Sequence, residues 1–203
     1  MTAAESTRDD LDYVRRLAES GAHAPLLGGR FMAWWGLLLT AAYVAHHLAL
    51  GGAIGDGGSI YPLIWSAFGI FGLGGQLLLA RSMPPKAGAG SAGNRASRVA
   101  WCAAALAIAS MVGGVTAAAV AGGGPATFDW IVPLAFAVYA CALLVTGALA
   151  KSRTALAAGA GAIAMVGLFA ALIGSPDRYL LAAAGVFATV LLPGLLLLRA
   201  EPR

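Results

Sequence analysis

Charge is scarce in this sequence. Of 203 residues, 11% are Asp, Glu, Lys or Arg, whereas 60% are apolar. A soluble domain carries about a quarter of its residues as charged side chains, so this chain has too few to cover a water-facing surface. The shortage argues against a soluble enzyme, a disordered chain and a nucleic-acid-binding module. Cysteine is equally scarce. Cys102 and Cys141 lie inside apolar runs with no Cys-x-x-Cys or Cys/His spacing, which supports neither a disulfide framework nor a structural zinc site. The first thirty residues hold nine charges and no apolar stretch. They are not expected to act as a cleavable signal, and the first hydrophobic run is expected to direct insertion.

Long apolar runs are what the chain does have. Crossing ~30 Å of hydrocarbon takes about twenty helical residues at ~1.5 Å each. Six runs qualify: Phe31 to Leu50, Ile60 to Ala80, Val99 to Ala121, Phe128 to Ala150, Thr154 to Ile173 and Tyr179 to Leu198. Asp129 is the one charged residue inside any of them. The runs are continuously apolar rather than alternating, which excludes a β-barrel. Glycine strings at 51–58 and 122–124 break the chain between runs, and Ser175-Pro176 reads as an N-cap and first-turn proline for the sixth. Pro62 and Pro133 fall in opening turns, where a missing N–H costs little, while Pro193 predicts a kink late in the sixth helix. The expected fold is therefore all-α, an integral membrane six-helix bundle of three transmembrane hairpins over residues 31–198. A cytoplasmic amphipathic helix and linker (1–30) precede it, and a cytoplasmic tail (199–203) follows.

Orientation is read from the loops. Twelve of the thirteen Lys and Arg residues lie before the first run, between the second and third, between the fourth and fifth, or after the sixth; Arg178 is the exception. Positive charge is retained on the cytoplasmic side, so both termini are expected there. Trp34, Trp65, Trp101 and Trp130 each fall within five residues of a run's end, as expected of aromatic belts at the two interfaces.

Residues 7–20 read as an amphipathic helix. Thr7 and three early aspartates suit its N-terminal end, Arg15 and Arg16 its C-terminal end, and Gly21 its stop. Leu11, Val14 and Leu17 share one face. That face has three alternative destinations: the lipid interface, the bundle's own inner ends as a plug, or a soluble protein partner. The stretch Asp12-Tyr13-Val14-Arg15-Arg16-Leu17-Ala18-Glu19-Ser20-Gly21, with Ala24-Pro25-Leu26-Leu27-Gly28-Gly29 and Trp34-Trp35-Gly36, resembles the start of small polytopic inner-membrane proteins of proteobacteria. The resemblance covers about the first forty residues. It implies the bacterial cytoplasmic membrane and no activity or catalytic residues, since that family has none assigned.

Few residues carry chemistry. Intramembrane carboxylates and histidines usually mark function. Apart from Asp129, one residue inside the start of its run, the spans hold only His46 and His47, about 23 Å up the first helix. They are an interfacial polar pair or, with Asp56, Asp129 or Asp177, weak candidates for a metal site; no second helix offers the histidine that a bis-histidine haem needs. Gln76, Tyr139 and Thr146 could line a solute path or bond helix to helix. The fifth helix, nearly all Ala and Gly from Ala157 to Ala164, is a candidate bundle centre or homo-oligomer interface. Ile60-Tyr61-Pro62-Leu63 and Ile131-Val132-Pro133-Leu134 are similar enough to raise a tandem hairpin repeat, with chance matching as the alternative. The expectation is a non-catalytic membrane sensor or regulatory subunit without a cofactor, whose partners are the bilayer and a cytoplasmic protein. The alternative is a small transporter or facilitator of an apolar or neutral solute.

Overall fold

In the computed structural model, residues 11–13, 26–55, 58–82 and 88–201 are described. Among them the only regular secondary structure is helix. The helices are α1 (Gly29–Leu50), α2 (Ile60–Ser82), α3 (Ala92–Ala118), α4 (Ile131–Leu149), α5 (Arg153–Ala171), α6 (Arg178–Val186) and α7 (Leu192–Ala200). A π turn (Phe187–Leu191) joins α6 to α7, and a π turn (Ala119–Gly123) extends α3; a 3-10 helix (Pro125–Trp130) leads into α4. Six helices are long and apolar enough to cross a membrane, with α6–α7 counting as one and the extensions included. By length and composition this is a multi-pass membrane protein.

The expected runs all form helices, with informative differences at their ends. α3 begins at Ala92, seven residues before the apolar run, because the Ser91 side chain accepts the Asn94 N–H and starts the helix outside the hydrophobic stretch. Ser175 does not cap α6. Its hydroxyl accepts the Asp177 N–H at 3.3 Å in the preceding turn, and α6 starts at Arg178. Ahead of Pro193 the helix widens into its π turn. Proline has no N–H to donate, and its ring crowds the carbonyl four residues back, so a wider turn accommodates what a regular α turn would not. The α4–α5 connection is short and tight: Ser152 N–H donates to Gly147 O at 2.9 Å, Lys151 takes a left-handed φ of 51°, and Ser152 caps α5.

Helices α1 and α2 run antiparallel, as do α3 and α4, and α5 also meets the sixth span, through α6, the π turn and α7. α5 packs most extensively against α4, and α6 and α7 pack against α1. Phe136, Leu143, Phe169 and Val186 form the fully buried centre, contributed by α4, α5 and α6. α4 and the α6–α7 span are the most buried, and α2 and α3 the least. The Ala/Gly-rich α5 turns one face to this centre, with Ala158, Ala162 and Phe169 in the core cluster, and leaves its other face exposed. At the α1–α7 seam the backbones nearly touch. A Cβ on Gly36 would lie 2.7 Å from Leu191 Cα, and one on Gly194 would lie 2.6 Å from the Ala33 nitrogen. Lipid competes equally for large apolar side chains, so close backbone approach of this kind is a main source of helix association in a bilayer.

Candidate functional site: two clusters at opposite ends of the bundle

The basic end of the bundle carries Arg30, Arg81, Arg95, Lys151, Arg153 and Arg199. Two buried polar side chains meet the chain there as it enters α1. Asn94, near the start of α3, accepts the Leu27 N–H on Oδ1 at 2.9 Å and donates from Nδ2 to Gly88 O at 3.0 Å and to the Ser91 hydroxyl at 3.1 Å. Glu201, just past α7, accepts the Gly29 N–H on Oε1 at 3.2 Å. Both side chains belong to residues that are only 8% exposed. The first N–H groups of a helix have no partner within it, and a carboxylate at that end also meets the positive pole of the helix dipole. Glu201 supplies both to α1. The linker at Leu27–Gly29 is thus gripped between the start of α3 and the end of α7.

The far end is held by rings and charge. His46 of α1 stacks on Tyr179 of α6, with centroids 3.8 Å apart, and lies 4.6 Å from the Tyr61 ring of α2. Trp65 donates its indole N–H to His46 Nδ1 at 3.0 Å. An Nδ1 that accepts carries no proton, so the ring N–H of the neutral imidazole is on Nε2. Tyr43 packs edge-on to Trp65 at 5.4 Å. Arg178 pairs with Asp129 across from α6 to the 3-10 turn before α4, and its guanidinium lies 4.7 Å from the Tyr179 ring centroid. The side chains of this ion pair are 12% and 13% exposed. The cluster joins α1, α2, α6 and the entry to α4.

No protein-family model, curated protein or solved structure matches the chain. Its chemistry is therefore read from the residues alone. His46 and His47, the metal candidates, point to different partners. His46 offers Nδ1 to Trp65, whereas His47 Nδ1 lies 3.4 Å from the Pro176 carbonyl. Asp129 is engaged by Arg178, and Asp56 lies outside the described residues. Among those residues there is no group of three or more His, Cys, Asp or Glu able to hold a metal. Of the solute-path candidates, Gln76 accepts the Trp35 indole N–H at the α1–α2 seam. Tyr139 and Thr146 are on α4, Tyr139 against the rings of Trp101 and Phe136, and Thr146 buried with its hydroxyl unpartnered among the described residues. The structure does not bring Gln76 together with the other two.

Leu11 is helical and exposed, while Val14 and Leu17, its expected companions on a docking face, lie outside the described residues. Three tryptophans near the run ends have partners within the protein. Trp34 donates to Gly72 O at 3.2 Å and lies over Gly75, Trp35 serves Gln76, and Trp65 serves His46. Three of the five thus use their indole N–H on partners in α1 and α2.

Asn94, Glu201, Arg178 and Tyr179 were not singled out from the sequence as site residues. For one pair a signal existed. Asp129 is the one charge inside an apolar run, and Arg178 is the one cation on its side of the membrane by loop count. The two exceptions partner each other.

Proposed function

We propose that the protein is a non-catalytic sensor or regulatory subunit of a bacterial inner membrane, with both termini cytoplasmic, acting through its N-terminal segment on a cytoplasmic protein partner. One observation carries this: the chain leaving that segment is gripped at Leu27 and Gly29 by buried side chains from α3 and from the end of α7. A displacement of the segment that reaches Leu27 acts directly on two buried side chains. It must either be resisted by Asn94 and Glu201 or displace the two helix ends that carry them. The resemblance of the first forty residues to small polytopic proteobacterial proteins supports the compartment, and the twelve-to-one distribution of Lys and Arg supports the orientation. The polar groups within the spans favour this function over a solute path, because Gln76 is spent on Trp35 and Thr189 on the Gly185 carbonyl at 2.8 Å.

The test is purification from native membranes in mild detergent, comparing the full chain with one lacking residues 1–22. The full chain should bring down a polypeptide in stoichiometric amount, and the shortened chain should lose it while keeping its helicity and elution volume. A full chain that retains no polypeptide, or a shortened chain that retains the same one, overturns the proposal.

A further inference from the structure

Helices α3 and α4 touch at the basic end, where a Cβ on Gly93 would lie 3.0 Å from Ala150 Cβ. Further along they leave an open groove of about 430 Å³ between them, lined by Ala100, Ala103 and Ala107 of α3 and Leu134, Ala137 and Cys141 of α4. Seven residues separate first from last on each helix, which at ~1.5 Å per residue is a groove about 10 Å long. Half of a ~30 Å hydrocarbon layer is about 15 Å, so the groove runs most of the depth of one leaflet. Its α3 side opens two residues beyond Arg98, and Arg95, Arg98, Lys151 and Arg153 are all exposed at that end. The stretches 88–107 and 134–160 contain no Asp or Glu to neutralise them.

We propose that this groove holds one acyl chain of an anionic phospholipid from the leaflet at the basic end, with its phosphate drawn to those four cations. Charge decides between a lipid and a second copy of the chain. Copies inserted the same way and packed through this face would bring two sets of four cations together, whereas an anionic headgroup neutralises one set. Each Lys or Arg near an anionic headgroup strengthens its binding about fivefold. The alanines of α3 make the space: larger side chains at Ala103 and Ala107, both exposed, would fill it without entering the core.

Native mass spectrometry of the full chain, released from detergent containing equal phosphatidylglycerol and phosphatidylcholine, reads the occupant. One phosphatidylglycerol per chain should survive release. Ala103→Phe with Ala107→Phe should lose it at unchanged helicity, and Lys151→Gln with Arg153→Gln should keep a lipid but lower the preference for phosphatidylglycerol about thirtyfold. Modification of Cys141 by a membrane-permeant maleimide gives a readout on the unaltered chain, and phosphatidylglycerol should slow it more than phosphatidylcholine does. Equal retention by the groove-filled variant, no headgroup preference in the unaltered chain, or no protection of Cys141 overturns the proposal. So does a dimer that the groove-filled variant converts to monomer, which would assign the face to a second copy.

Discussion

The two ends of this bundle are closed by different kinds of bond. At the far end side chains hold side chains: His46 on Tyr179, Trp65 on His46, Arg178 on Asp129. At the basic end side chains hold backbone: Asn94 grips the Leu27 amide and Glu201 the Gly29 amide. The first arrangement locks helices to one another. The second locks helices to a passing strand of chain, and so joins whatever precedes that strand to the bundle. Under the proposed regulatory role, the basic end is where the signal would pass and the far end is where the helices are held rigid, and each can be broken separately.

Asp129→Ala should have the largest effect. It leaves the Arg178 guanidinium, mostly buried, without its counter-charge, and breaking such a pair from one side costs about 3 kcal/mol. Unfolding in mixed micelles should register the loss, and adding Arg178→Met should recover most of it. If the single variant unfolds like the parent, the far end is not the rigid one. Asn94→Ala should cost about 2 kcal/mol, because it strands the Leu27 N–H and uncouples the Gly88 turn. Hydrogen exchange should quicken at Leu27 and leave the far end protected; equal acceleration at both ends would erase the distinction between them. Trp65→Phe should be mildest, at about 1 kcal/mol, since the ring still packs on Tyr43 and only the bond to His46 is lost. Its effect should appear in the imidazole nitrogen chemical shifts of His46, with the basic end unmoved.

The spans were legible because a bilayer imposes one requirement, about twenty apolar residues in a row, and the chain meets it six times without ambiguity. Helix ends were less so. Hydropathy marks where hydrocarbon stops, and a capping serine such as Ser91 can carry a helix well past that point. Neighbour relations were the least legible. Beyond its sequence neighbour α5, the sixth span sits on α1, because glycines at 36 and 194 permit a backbone approach that no apolar count reveals. Asn94 and Glu201 escaped notice for a related reason. A polar residue in a loop-like or terminal stretch reads as solvated, and only tertiary structure shows it turned inward onto an amide. The seating of Trp34 and Trp35 on α2 was illegible for the same reason, since the two glycines that receive them are about forty residues away.

The seating of α1 against α6 and α7 bears on how the protein is made. The first of the six spans to leave the ribosome finds its tightest companions in the last, so until these arrive it waits in the bilayer with its glycine face against lipid. Final assembly is consequently a late event that synthesis cannot complete span by span. A ribosome stalled after α5 would strand a membrane intermediate whose exposed seam invites either degradation or the wrong neighbour.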